Sequence, residues 1–330
     1  MSIPPLVSVE RLSRTYGDRL ALDRVSFDVA PGELFALLGP NGGGKTTLFK
    51  LLATLIPPTE GTFHVDGLSL DGSLRELRRR LGVVFQSPSL DRKLTVLENL
   101  LVHGAILGLC GRALRTRAGE LLARMGVDDR AGDLVETLSG GLARRVEIAK
   151  ALLGAPKVLL LDEPSTGLDP LARRSLRALL AELARGGTTV LLTTHLFDEA
   201  EEAGRIGILD RGRLVALGTP SDLKREVGGD VLVLATGSDD DATALAAEVD
   251  AFLAPDLDSS LVPWPGRVTA LGPTVRVERP DGPALVPTLS ASFSGRFRSL
   301  TLGAPSLEDV FVDRTGHPFE DAATDDGRNA

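Results

Sequence analysis

Residues Leu34–Ile56 read LFALLGPNGGGKTTLFKLLATLI, and this stretch decides the fold. The run LFALLG is short, continuous and apolar, the pattern of a strand buried on both faces of a parallel sheet. The segment TLFKLLATLI is apolar at helical spacing. Between them GPNGGGKT, Gly39 to Thr46, fits G-x-x-x-x-G-K-[ST] in full, in the strand–loop–helix setting the motif requires. Gly39, Pro40, Asn41, Gly42, Gly43, Gly44, Lys45, Thr46 and Thr47 are therefore expected to grip phosphates. The glycines let backbone N–H groups turn inward, and the helix start adds its positive end. Lys45 would bridge the outer phosphates, and the Thr46 hydroxyl would bind Mg2+.

Two more buried strands are legible downstream. KVLLLDEP places Asp162 at a strand end, where an acid can hold the metal, and Glu163 next to it, where a carboxylate can orient or deprotonate water. TTVLLTTH ends on His195 at the sheet edge where ligands sit in such folds. Upstream, VSVERLSRTYG and ALDRVSFDVAPG partly alternate and end in turn residues, like antiparallel strands. Residues from about 95 to 137 carry helical periods and no strand run. The expected core is an α/β sheet with an antiparallel β edge and a helical insertion. His64, His103 and His317 lack such settings and read as structural or surface residues. No His/Cys cluster has metal-ligand spacing.

After LGTPSDLKREVGG the texture changes. VLVLATG reads as a strand, DDDATALAAEV as a helix opened by acids, TVRVERPDG as a strand and turn. ALVPTLSAS reads as a weak helix interrupted by Pro287, RFRSLTLG as a strand, and PSLEDVFVDRTG as a short helix started by Pro and Ser. This β-α-β-α-β order suggests a small α/β sandwich over residues 229–316, after a first domain at 6–220. The polar tail, 317–330, reads as disordered.

Composition bounds the function class. The chain has 330 residues, 43% of them hydrophobic, enough for one large domain and a small one. No apolar run approaches the ~18 residues that span a bilayer. The N-terminal residues MSIPPLVSVE lack the basic and apolar regions of a signal peptide. One cysteine, Cys110, excludes an internal disulfide framework and fits a reducing compartment. The net charge of -8 argues against a nucleic-acid surface.

A second anion grip remains. LSGGLARRVEIAK, from Leu138, puts Ser139, Gly140 and Gly141 at the head of a helix whose Leu142, Val146, Ala149 and Leu153 form a docking stripe. By itself this is an ordinary Ser-capped helix. With the other motifs in order, the chain resembles the nucleotide-binding subunit of an ABC transporter over residues 6–220. LSGG is that family's signature. Tyr16 in RTYG is similar to the aromatic that stacks on adenine. Gln86 in VVFQ is similar to the glutamine that links the Mg2+ site to the membrane-facing surface. Asp169 in STGLDP is similar to the aspartate at the subunit contact, and His195 to the switch histidine.

The resemblance implies ATP and Mg2+ as cofactors, with Thr46, Gln86 and Asp162 around the metal. It implies Glu163, His195, Lys45 and Gln86 in hydrolysis. Two nucleotide-binding subunits, expected to be identical, would pack head to tail, so that the signature of one caps the ATP held by the other. The second grip thus serves the partner's nucleotide. The chain itself has no membrane span, so a separate multi-span permease is implied, with this subunit peripheral on the cytoplasmic face of the bacterial membrane. PSLEDVFVDRTG resembles the ending of daunorubicin-resistance-type export ATPases, which favours export. For the C-terminal domain a packing and dimer-stabilising role is favoured over a regulatory one. Two departures stand out: Gly43, where the family has a small non-glycine residue, suggests a more flexible loop, and Leu142 replaces the signature's usual glutamine. The competing class is a soluble ABC mechanical ATPase acting on ribosomes or nucleic acid. Against it, the chain carries one cassette and only a modest helical insertion between Lys45 and Asp162.

Overall fold

The computed structural model describes residues 4–253, 267–279 and 282–319. The chain opens with β1 (Val7–Tyr16), β2 (Arg19–Val29), β3 (Leu34–Leu38) and α1 (Lys45–Leu52). β4 (Glu60–Val65), β5 (Leu68–Ser69), α2 (Leu74–Arg79) and β6 (Leu81–Val84) follow. A helical stretch carries α3 (Val96–Ile106), α4 (Gly111–Met125) and α5 (Gly140–Leu152). Alternation resumes with β7 (Val158–Asp162), α6 (Pro170–Arg185), β8 (Thr189–Thr194), α7 (Phe197–Glu201), β9 (Arg205–Asp210) and β10 (Arg213–Gly218).

Two sheets share the core of this part. The antiparallel one runs β2-β1-β4-β5, and the six-stranded one runs β10-β9-β3-β8-β7-β6. In the latter, β9, β3, β8, β7 and β6 are mutually parallel and β10 is an antiparallel edge. β7 and β8 are buried along their whole length, which is why they read as unbroken apolar runs rather than alternating ones. Phe27 of β2 stacks on Phe35 of β3 with ring centroids 5.1 Å apart, joining the two sheets through one apolar cluster with Leu48 and Phe49 of α1. Burying such side chains contributes roughly 1.5–3 kcal/mol each. The parallel strands β3, β7 and β8 end together, at Leu38, Asp162 and Thr194, so the residues that follow them meet at one edge.

The contacts divide the chain into two compact units, the break falling between Thr219 and Pro220. The second begins with α8 (Pro220–Val227), a segment the sequence reading left unassigned between its two domains. It continues as β11 (Asp230–Ala235), α9 (Asp239–Leu253), β12 (Arg267–Leu271), β13 (Thr274–Arg279), α10 (Gly282–Ser292), β14 (Ser299–Gly303) and α11 (Leu307–Thr315). The sheet order is β12-β13-β11-β14 with every pairing antiparallel. This is a split βαβ arrangement, a β-α-β-β-α-β path. The expected β-α-β-α-β order missed β12, because RVTAL is short and only half-buried and gives no clean period.

Pro287 does not interrupt α10, which runs through it. Leu285 and Leu289 pack with Val275, Val277, Leu232 and Leu234, and this burial outweighs the lost backbone bond. α11 carries acids toward the sheet, where Arg276 pairs with Asp309 and Arg267 with Asp313. The expected disordered tail began at His317, yet His317 and Phe319 pack edge-on against Phe311. The rest of that tail, from residue 320, lies outside the described residues.

Candidate nucleotide site

The loop 39–47 joins β3 to α1 and wraps around Lys45. Gly39 N–H donates to the Thr194 carbonyl at 3.2 Å, fastening the loop to the end of β8. A Cβ on Gly39 would stand 2.4 Å from the Leu209 carbonyl oxygen, so only glycine fits. Gly44, at φ 105°, is the N-cap of α1 and turns the chain into the helix. Gly43 is held on both sides, donating to Pro40 O at 3.1 Å and accepting from Gly212 N–H at 3.0 Å. The extra glycine thus sits in a pinned backbone.

Lys45 is buried, its Nζ donating to the carbonyls of Gly39 at 2.7 Å and Pro40 at 3.0 Å, with Glu163 Oε1 at 3.4 Å. Burial pushes its ammonium below the ordinary lysine value, and Glu163 and Asp162 pull it back up. The cation is held by loop carbonyls and a carboxylate that phosphate oxygens could replace. Thr46 is exposed beside it, at the head of α1.

Asp162 and Glu163 close β7. Burial raises the Asp162 carboxyl above the usual range; a hydrogen bond from Thr193 opposes this, and the neighbouring Glu163 charge adds to it. Thr193 Oγ1 donates to Asp162 Oδ1 at 2.6 Å. Glu163 N–H donates to both Thr193 O at 3.1 Å and Thr193 Oγ1 at 3.0 Å. This clamp holds Glu163 at φ 44°, a left-handed conformation rare in a residue with a side chain. The turn sends its carboxylate inward, where Oε2 accepts from Gln86 Nε2 at 3.1 Å and Thr166 Oγ1 at 3.2 Å. His195 Nδ1 lies 3.3 Å from the same oxygen without hydrogen-bonding geometry.

So Lys45, Gln86, Asp162, Glu163 and His195 converge at one sheet edge, drawn from the ends of four different strands. Thr46, Gln86 and Asp162 offer a hydroxyl, an amide oxygen and a carboxylate. These are hard oxygen donors of the kind Mg2+ takes, and Gln86 donates through its nitrogen, leaving the oxygen to ligate. Among the described residues no group of three His, Cys, Asp or Glu side chains is placed to hold a metal by itself.

Other expected residues lie apart. Tyr16 ends β1, half-exposed, with the Arg14 guanidinium 4.7 Å from its ring centroid. Ser139 caps α5, its Oγ accepting from Leu142 N–H at 3.4 Å, and Gly140 and Gly141 form the first turn. Asp169 caps α6 by accepting from Ala172 N–H at 2.9 Å. Among the described residues no hydrogen bond or ion pair joins 139–141 to the loop 39–47. In the α5 docking stripe Val146, Ala149 and Leu153 are buried, while Leu142 is only half-buried. His103 is half-buried, and burial next to Lys150 lowers its pKa.

Sequence reasoning missed Thr193, the clamp under both acids. It also missed Glu199 of α7, a buried carboxylate that accepts from the hydroxyls of Ser165 and Thr194. A carboxylate four residues past a candidate His, facing two strand-end hydroxyls, was the available signal. Arg144 and Glu147, charged yet buried on α5, gave none.

The family description "ABC transporter" matches residues 22–166. The chain is 37% identical to the daunorubicin/doxorubicin resistance ATP-binding protein DrrA of Streptomyces peucetius, over 99% of this chain and 98% of that one. It is 38% identical to Nod factor export ATP-binding protein I of Ralstonia nicotianae, over 96% of each. Among solved structures, the cassette MJ0796, described as a dimeric post-hydrolysis state bound to ADP and Pi, superposes with TM-score 0.58 at 32% identity, covering 64% of this chain and 98% of that one. The Clostridium perfringens protein cbiO1, described as part of the ABC transporter complex cbiONQ, gives TM-score 0.63 at 29% identity, covering 76% and 96%.

Proposed function

The chain belongs to the ATP-binding subunits of ABC transporters, and from that premise we propose that it hydrolyses ATP to drive export of a drug, lipid, polysaccharide or similar solute through a separate multi-span permease. That it is an ATP-binding ATPase of an exporter-type transporter follows from its family. The observation that carries the proposal is the convergence of Lys45 of the phosphate loop, Gln86 and His195 on a strained Glu163 at the end of β7.

The loop N–H groups and the start of α1 hold the β- and γ-phosphates, with Lys45 exchanging its loop carbonyls for phosphate oxygens. Tyr16 stacks on adenine, backed by Arg14. Thr46, Gln86 and Asp162 hold Mg2+, which when bound neutralises charge on the phosphates. Glu163 accepts a proton from, or orients, the attacking water. Gln86 fixes its carboxylate by a hydrogen bond, and His195, 3.3 Å from the same oxygen, would contact the γ-phosphate. Ser139, Gly140 and Gly141 cap the nucleotide of a second copy of this chain, and Asp169 sits at that contact. Among the described residues no direct hydrogen bond or ion pair joins 139–141 to the loop 39–47, which fits action in trans.

No helix among the described residues is long and apolar enough to cross a membrane. Phe85 beside Gln86, and Val102 and Ile106 on α3, are exposed apolar side chains suited to a permease contact at the cytoplasmic membrane face. No nucleic-acid partner is proposed, given the net charge of -8.

Glu163→Gln tests the assignment. It should bind ATP normally, lose roughly 100-fold or more in kcat, and accumulate an ATP-bound dimer in size-exclusion chromatography. Wild-type turnover would remove Glu163 from the chemistry.

A further inference from the structure

The loop 85–89 is tied to α5 at both ends, chiefly by two buried side chains of that helix, Arg144 and Glu147. Arg144, 7% exposed, donates through Nη1 to the Phe85 carbonyl at 2.7 Å and through Nη2 to the Gln86 carbonyl at 3.1 Å. The same Nη1 lies 2.7 Å from Glu147 Oε2. Glu147 Oε1 accepts from the Ser89 backbone N–H at 2.6 Å and from its hydroxyl at 3.2 Å. Lys150 Nζ donates to the Ser89 carbonyl at 2.6 Å. Positions 144, 147 and 150 are spaced three apart and share one helix face.

What lies at each end of this tie gives it meaning. α5 begins at Ser139, Gly140 and Gly141. The Gln86 side chain, beyond the carbonyl that Arg144 holds, reaches Glu163 Oε2 at 3.1 Å. One turn of helix, one guanidinium, one residue and one amide thus connect the signature to the carboxylate of the same chain. A planar fork that bonds two successive carbonyls fixes both peptide groups flanking Gln86, which a single donor does not.

We infer that Arg144 is a positioning residue for hydrolysis. When the head of α5 seats on the partner's nucleotide, Arg144 carries the shift to Gln86 and so to Glu163 at the chain's own nucleotide. Capping in trans thereby primes hydrolysis in cis, which would keep the two sites in step. The inference rests on the head-to-tail reading above. The plainer role for the same bonds is to secure a loop on a helix. That role requires no coupling to Gln86.

The test is a double-mutant cycle on the purified full chain at high protein concentration. Arg144→Lys keeps a cation beside Glu147 but lacks the fork. It should leave KM for ATP and the melting temperature near wild type and lower kcat about tenfold. In a Gln86→Ala background the same substitution should lower kcat less than about twofold, because the route is already cut. If Arg144→Lys does not fold, Arg144→Gln combined with Glu147→Gln removes both buried charges together and carries the same comparison. Wild-type kcat in a folded variant overturns the inference, as does a full repeat of the drop in the Gln86→Ala background. Loss of ATPase recovery in mixed dimers of Ser139→Arg and Lys45→Ala chains instead overturns the reading on which it rests, so the two failures are distinguishable.

Discussion

Glu163 occupies a backbone conformation that costs free energy, on the order of 1–3 kcal/mol for a side-chain-bearing residue in the left-handed region. What offsets the cost is Thr193, whose carbonyl and hydroxyl both receive the Glu163 N–H while the hydroxyl donates to Asp162. One fully buried threonine therefore sets the direction of both carboxylates, the proposed proton acceptor Glu163 and the proposed metal-binding Asp162. Thr193→Val keeps the shape and removes the hydroxyl. It should leave ATP binding near wild type, weaken the Mg2+ dependence of turnover, and cut kcat about tenfold, since a buried acceptor left unpaired costs roughly 1–3 kcal/mol. Steady-state kinetics over a Mg2+ titration decides it, and an unchanged profile would mean that the clamp is incidental.

At the scale of elements, the segment PSLEDVFVDRTG acquires a physical reason. Ser306 caps α11 by accepting from Asp309 N–H, and Asp309 returns a bond to the Ser306 N–H, a capping box. Asp309 also pairs with Arg276, which is buried beside Glu278, while Leu307, Val310 and Phe311 are fully buried. One carboxylate starts the helix and neutralises a buried guanidinium. Asp309→Ala should destabilise the C-terminal unit by about 1–2 kcal/mol, because it loses a cap and one of the two carboxylates on the buried Arg276, which keeps Glu278. Hydrogen exchange localised to β13 and α11 would register it, and unchanged protection there would rule the pair out as a stabiliser. How much of such detail is legible beforehand depends on distance along the chain. β3, β7 and β8 announce themselves because strands covered on both faces carry consecutive apolar residues, LFALL, VLLL and VLL, in place of an alternation. Lys45 and Asp162 sit in motifs whose context is local. β12 is too short and too exposed to show a period. Thr193, Glu199 and Arg144 act on partners up to 59 residues away, so only the folded sheet edge reveals them.

At the scale of the whole molecule, the chain holds a full phosphate loop and an LSGG signature that, among the described residues, no direct hydrogen bond or ion pair joins. The proposed head-to-tail pair of copies would use both, and each nucleotide site would then be made from two chains. Binding would close the pair and loss of the γ-phosphate bridge would reopen it, a population shift driven by the difference in contact with ATP and ADP. Ser139→Arg puts a bulky side chain where the partner's γ-phosphate must dock but leaves its own loop intact. Lys45→Ala disables the loop but leaves its signature intact. Each homodimer should be nearly inactive, and the folded Ser139→Arg monomer should still bind ATP. Mixing the two chains creates one site with a working loop from the first and a working signature from the second. ATPase activity of the mixture is the measurement: recovery well above either parent is expected, whereas no recovery, together with loss of ATP binding by the folded Ser139→Arg monomer, would place the signature on its own chain's nucleotide and contradict the shared site.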